Sequence, residues 1–231
     1  SGHLVIVPEA LGVEPPDLAM SAVLHLGTLV AVLVYFRKDL AEMARFDRAG
    51  RRMITIIVIG TIPAVILGLA FESRLDELNE RPAAVAVMLI VTGLILIGTM
   101  LLRPGDRTTE ELTPTDAGLI GLGQSFALIP GVSRSGMTIS AGLARGMQRV
   151  DAARFAFLLG IPVIAGAGLL SVARAASERS GITTATVVGM VVAAVTGYAA
   201  IAFLLRVIAK AGLAPFGSYC VAFGAIALVA L

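Results

Sequence analysis

Tryptophan is absent from the 231 residues, cysteine occurs once and histidine twice. The lone cysteine, Cys220, excludes a disulfide framework and a cysteine-ligated zinc cluster. His3 and His25 are too few for a histidine-rich metal centre. Charge is scarce as well, at 15% of residues, where a soluble domain carries about 25%. Apolar residues make up 57%, against about 45–50% in a soluble domain, and the mean hydropathy is +0.92. That excess is too large for a soluble core of this size. It excludes a cytosolic enzyme, a nucleic-acid binder and a disordered chain. A net charge of +2 and a pI near 9 suggest anionic partners at first sight, but the basic residues are sorted by membrane side instead.

A membrane helix needs about 20 mostly apolar residues. Six uncharged stretches approach or meet this length: Leu18–Phe36, Ile54–Phe71, Ala83–Leu102, Phe155–Ala173, Ala185–Leu205 and Phe216–Leu231. With residues 1–16 outside and the spans alternating, 13 lysines and arginines fall inside: Arg37 to Arg52, Arg103, Arg107, Arg145, Arg149, Arg154, Arg206 and Lys210. Only Arg74, Arg81, Arg174 and Arg179 fall outside, a clear positive-inside bias. The expected fold is an all-α polytopic membrane protein with six transmembrane helices.

A seventh apolar stretch behaves differently. Arg134 is the one charge between Asp116 and Arg145, in a run rich in glycine and broken by Pro130-Gly131. Proline removes a backbone donor and clashes with the preceding turn. The twelve residues 118–129 make a helix of roughly 18 Å, too short for about 30 Å of hydrocarbon. A re-entrant hairpin of two half-helices is expected, with both ends inside and its backbone buried in protein or lining a polar cavity. The alternative is one kinked span, which would invert the later topology.

Ser1-Gly2 is followed by Leu26-Gly27, and Ser135-Gly136 by Leu159-Gly160, at nearly equal spacing. Each Ser-Gly unit is trailed by three spans. Three is odd, so two inverted repeats are expected, residues 1–102 and 103–231, with a site near the midplane where broken helices meet. The sequence opens on Ser1-Gly2-His3, with no initiator methionine and no signal-peptide pattern. A longer parent is therefore expected, with some 15–25 further residues ahead of Ser1 matching the first half-helix of the second repeat, and with them a second hairpin.

The chemistry concentrates in Pro130-Gly131-Val132-Ser133-Arg134-Ser135-Gly136-Met137-Thr138. A helix start presents free N–H groups and partial positive charge, which suits an anion. Ser133 and Ser135 add hydroxyls, and Thr138 lies one turn on from Ser135. An arginine in an uncharged membrane segment marks a functional site by default. Arg134 offers bidentate geometry for phosphate oxygens; the alternative is a snorkelling or carboxylate-paired arginine. His3, in the equivalent unit of the first repeat, can act as nucleophile or proton carrier near neutral pH. Gln124 either points at the site or bonds across helices, and His25 is read as packing between helices.

The run Gly123-Gln124-Ser125-Phe126-Ala127-Leu128-Ile129-Pro130-Gly131-Val132-Ser133-Arg134-Ser135-Gly136-Met137-Thr138 resembles the second motif of the undecaprenyl-diphosphate phosphatase family of bacterial membranes, the bacitracin-resistance type. Ser1-Gly2-His3-Leu4 resembles the tail of its first motif. Leu24–Leu29, Ile59–Ala64 and Phe155–Pro162 extend the likeness over essentially the whole chain.

The resemblance implies hydrolysis of undecaprenyl diphosphate in the bacterial inner membrane, recycling the lipid carrier of cell-wall synthesis. It implies inverted repeats, two re-entrant hairpins, and magnesium or calcium as a divalent cation. Carried over, His3 and Arg134 are catalytic, while Ser1, Gln124, Gly131, Ser133, Ser135, Gly136 and Thr138 bind substrate. The acidic residues of the family's first motif, expected to hold the metal, would precede Ser1. Met20-Ser21 departs from the aromatic-acidic pair common there. The expected partners are the polyprenyl diphosphate and the bilayer, without nucleic acid; a homodimer is compatible with the chain. The alternative function is a flippase for a polyprenyl phosphate or related phosphorylated lipid. It would move an unaltered lipid, whereas the phosphatase releases inorganic phosphate.

Overall fold

The computed structural model describes residues 2–13, 18–79, 81–103, 105–177 and 184–230, and these are helical throughout apart from short connections. Among the described residues ten α-helices follow one another: α1 (Gly2–Leu11), α2 (Leu18–Tyr35), α3 (Arg37–Met43), α4 (Arg48–Asn79), α5 (Pro82–Gly98), α6 (Pro114–Ser125), α7 (Arg134–Ala144), α8 (Arg149–Ser177), α9 (Thr184–Ala211) and α10 (Ala214–Ala230). Among the described residues four stretches are long and apolar enough to cross a membrane: Arg48–Phe71, Pro82–Leu101, Arg149–Leu170 and Thr184–Ala211. The first and last of the six expected stretches form shorter apolar helices, Val23–Tyr35 within α2 and Ala214–Ala230. The outer face of α9 leaves Val187, Val188, Val191, Val192 and Val195 exposed. Such a stripe is costly in water and favourable against lipid.

Small residues set how the helices pair. A Cβ on Gly93 would lie 2.6 Å from the Gly217 carbonyl oxygen, and one on Gly217 would lie 2.7 Å from the Gly93 carbonyl oxygen. Each glycine also meets the residue four positions beyond the other, Val221 or Ile97. Gly224 meets Ala86 and Ile90 one heptad away, so α5 and α10 run antiparallel in a reciprocal, backbone-close contact. Gly27 and Gly197 bring α2 and α9 together in parallel through Met190, Ala193, Thr28 and Ala31. Gly60 of α4 and Gly121 of α6 meet backbone to backbone.

The seventh stretch is a hairpin, and one carboxylate closes it. Asp116, buried in the first turn of α6, accepts from Arg107 Nη2 and from Arg145 Nε, each at 2.7 Å. It also accepts from the Thr113 amide at 3.0 Å and the Thr113 hydroxyl at 2.8 Å. Arg145 caps the end of α7. The first and last turns of the segment are therefore bonded to one another, which a single kinked span does not allow. Arg107 also donates to the Arg145 carbonyl at 2.8 Å, and the Gln148 amide donates to the Arg107 carbonyl at 2.9 Å.

The first half-helix departs from the expected 118–129. It begins at Pro114 and ends at Ser125, followed by a 3-10 turn over Phe126–Leu128. Thr113 and Asp116 form a capping box with Pro114 at the first helical position, a start signal that places the boundary four residues earlier.

The same end of the fold gathers the other basic segments. Arg154 Nη2 lies 2.6 Å from Asp39 Oδ1, Arg52 donates to the Leu112 carbonyl, and the Arg149 guanidinium lies over Gly212. The segments around residues 37–52, 103–116, 145–154 and 206–212 thus meet at one end, where the basic-residue count groups them.

Two outcomes follow. With Cys220 replaced, cysteines at the exposed positions Thr115 and Gln148 should be labelled in cells from the same membrane face; labelling from opposite faces contradicts the hairpin. Arg107 beside Asp116 holds its carboxyl well below the usual carboxylate range. A depressed carboxylate contributes stability that is present above its unfolded value of about 3.9 and is lost as pH falls toward its folded value. Asp116→Ala should therefore cost about 2–3 kcal/mol near pH 7, reduced from a fully buried pair because both arginines reach solvent. Thermal melts in detergent should show the gap to wild type narrowing below about pH 4.

Candidate functional site

The hairpin delivers the Pro130–Thr138 segment to the far end of α6 and α7, away from the charged clamp. Gly131 turns the chain at φ +88°, a left-handed conformation that suits glycine. It packs so closely on the Val85 carbonyl of α5 that a side chain has no room. Thr92, a fully buried hydroxyl inside apolar α5, pins this turn. Its Oγ1 donates to the Gly131 carbonyl and accepts from the Ser133 amide, both at 3.4 Å. Thr92 lies outside the motif, and its signal in the sequence is a polar residue within a run of valine, leucine and isoleucine.

Ser133 is the N-cap of α7, its Oγ accepting from the Gly136 amide at 3.2 Å. That bond leaves the hydroxyl proton free to donate. Gly136 fits tightly between Leu96 and Ser133, where a Cβ would press on both side chains at 3.0 Å. Ser133, Ser135 and Gly136 line a cavity of about 190 Å³ whose other walls include Leu96, Leu204, Phe216 and Tyr219. Thr138 is buried, and its hydroxyl donates to the Arg134 carbonyl at 2.8 Å, so its one proton is held within the helix.

Arg134 occupies the first position of α7, and its guanidinium reaches α8 at Gly160. A Cβ on Gly160 would sit 3.6 Å from Arg134 Cζ, so the guanidinium lies flat on the bare backbone of α8. Among the described residues that guanidinium has no hydrogen-bond or ion-pair partner. The carboxylate-paired reading therefore does not hold among them. The contact also accounts for Leu159-Gly160, because a side chain beyond alanine at 160 would collide with the arginine.

Gln124 is buried at the end of α6, and neither its Nε2 nor its Oε1 has a protein partner; Ser140 Oγ on α7 is in the same condition. Buried polar side chains are ordinarily satisfied, so each marks a place for a polar guest or ordered water. It does not support the cross-helix bond that was the alternative for Gln124.

His3 lies on α1, which packs by Ile6 against Val85, Ala86 and Leu89 of α5 and Cys220 of α10. Its ring stacks on Phe223 at 4.5 Å, and its Nε2 lies 2.7 Å from the Tyr219 hydroxyl. The structure thus links His3 to the Ser133–Ser135 cavity through Tyr219, a residue the sequence motifs do not include. Ser1 lies outside the described residues.

A hard cation such as magnesium or calcium takes oxygen ligands, commonly carboxylates. Among the described residues no three His, Cys, Asp or Glu side chains come together as a cation site. The free donors near the hairpin turn are a cation, hydroxyls and an amide, which suit an anion and do not fit a resident divalent ion.

Residues 1–226 match the family model described as bacitracin resistance protein BacA. A protein named undecaprenyl-diphosphatase from Pelobacter propionicus is 40% identical over 245 residues, covering 100% of this chain and 90% of that protein. Proteins of the same name from Geotalea daltonii and a Nocardioides species are 38% and 40% identical, covering 99% of this chain and 90% and 88% of their own lengths. With the family model matching residues 1–226, from α1 past the hairpin and into α10, the chain belongs to the BacA family of bacitracin resistance proteins.

Proposed function

We propose that this protein hydrolyses undecaprenyl diphosphate to undecaprenyl phosphate and inorganic phosphate, regenerating the lipid carrier of cell-wall synthesis. The relatives' name and the family membership support the substrate. The observation that carries the reading is the Arg134 guanidinium, which has no partner among the described residues and sits at a helix start within an apolar segment. An uncompensated cation in such a place is costly, and an arriving diphosphate supplies the missing charge.

Arg134 holds two diphosphate oxygens at once. The free Ser133 hydroxyl, Ser135 and the first N–H groups of α7 add donors. Gly131 and Gly136 keep side chains clear of the backbone the headgroup approaches, and Gln124 offers a further polar contact. Thr138 supports the arginine's own turn. Hydrolysis breaks the bond between the bridging oxygen and the terminal phosphorus and adds one water; His3 carries the proton. Phosphoryl transfer asks mainly for positioned positive charge and donors, and this site supplies them.

The protein works as a multi-pass protein of the bacterial inner membrane, with the Asp116 end inside. Its two halves, residues 1–102 and 103–231, are inverted repeats. The reciprocal Gly93–Gly217 contact of antiparallel α5 and α10 supports this, as does the match in length between α1 and α7.

Phosphate release from undecaprenyl diphosphate by full-length protein in detergent tests the reading, and movement of unaltered lipid without release would favour the flippase. Arg134→Ala should lower the rate by a hundredfold to a thousandfold, about 3–4 kcal/mol, with its melting temperature nearly unchanged. Arg134→Lys should recover little, because an ammonium offers a point charge in place of a fork. Near-full activity of a folded Arg134→Ala protein would contradict the anion site. Gly160→Ala should be tolerated, since its methyl meets the guanidinium at ordinary contact distance. Gly160→Leu should displace Arg134 and lower activity at least tenfold while the protein still folds; wild-type turnover in Gly160→Leu would show that the arginine's seat on α8 does not matter.

A further inference from the structure

The helix α10 shows two adjoining stripes. Gly217, Cys220, Gly224 and Ala227 are buried, three to four positions apart, and this face packs on α5. Phe216, Tyr219 and Phe223 form the neighbouring stripe, which the α5 contact leaves facing α1 and the hairpin. His3 and Tyr219 are 216 positions apart, yet their side chains meet twice. Their rings are nearly coplanar in direction, 3° between planes with centroids 5.7 Å apart, and the phenol oxygen lies 2.7 Å from Nε2. Phe223 holds the histidine ring from another side, 17° from parallel. The same tyrosine is a wall of the cavity that Ser133 and Ser135 line.

We propose that Tyr219 is a positioning residue that fixes the ring orientation of His3 beside the hairpin cavity; this rests on the phosphatase reading above. Stacking alone leaves an imidazole free to exchange its two nitrogens by a flip. A hydrogen bond to Nε2 distinguishes them, because the phenol engages that nitrogen and a flip would break the bond. Fixing a proton carrier in one orientation is where an enzyme gains from geometry, since a misplaced group loses rate without losing affinity. Tyr219 acts through His3 and needs no contact with the reacting phosphate. Its aromatic body, held between Phe223 and the cavity, lets the hydroxyl be removed without disturbing the packing.

A double-mutant cycle on full-length protein tests this. Tyr219→Phe keeps both ring stacks and should lower kcat for phosphate release about tenfold with KM unchanged within about twofold. In a His3→Ala background the same substitution should cost nothing further, because the group it positions is gone. Equal losses in both backgrounds, or no loss in either, would overturn the proposal. A second readout is independent of turnover. In protein with ¹⁵N-labelled histidine, the two residues His3 and His25 give separable ring signals, and Tyr219→Phe should move the His3 pair while leaving the His25 pair in place. Unmoved His3 signals would overturn the proposal even if activity fell. Absence of phosphate release from wild type, with His3 signals that do respond to Tyr219→Phe, would instead overturn the phosphatase reading and leave the pairing as a structural one.

Discussion

The Asp116 carboxylate is the constraint on which the site depends. It is a buried charge that survives because two guanidinium groups and two Thr113 donors converge on it. Without such compensation, burying a carboxylate would cost several kcal/mol. Its partners come from three places: the connection before α6, the N-cap of α6 and the end of α7. Satisfying this one group therefore ties two half-helices into a hairpin. Each half-helix is too short to cross a bilayer, and its backbone is tolerable at membrane depth only while buried in protein. Glycine at 60, 121 and 131 permits that burial by letting α4, α6 and the hairpin turn approach backbone to backbone.

Charge is consequently divided between the two ends of the hairpin. At the clamp, two guanidinium groups share one buried carboxylate. At the tip, Arg134 is left without a protein counter-ion among the described residues, resting on the flat surface that Gly160 provides. Among the described residues the tip is held by neutral groups, chiefly the Thr92 hydroxyl, and none of them competes with an anion for the arginine. A neutral support and an unpaired cation are suited to a ligand that arrives already charged.

Much of this was legible in the sequence because the signals were local. Pro130-Gly131 announced the break, the rarity of charge singled out Arg134, and the basic asymmetry grouped the segments that meet at one end. The capping box at Thr113–Asp116 was also local, yet the charged connection around it read as a loop, so the half-helix began four residues early in the structure. The Asp116 clamp, the Thr92 pin, the Gly160 seat and the His3–Tyr219 bond were not legible. Each joins helices that pack only in the folded chain, and no periodicity within one helix reports its neighbour. The unsatisfied amide of Gln124 belongs to the same class, since burial on every side is a tertiary property.

The central claim is that the hairpin tip is an anion site built on Arg134. Binding of a non-hydrolysable prenyl methylenediphosphonate to purified protein, followed by calorimetric titration in detergent, measures this without requiring turnover. Wild type should bind saturably at one site per chain, and a folded Arg134→Gln protein, with the Asp116 clamp intact, should lose at least tenfold in affinity. Equal affinity in the two proteins would contradict it.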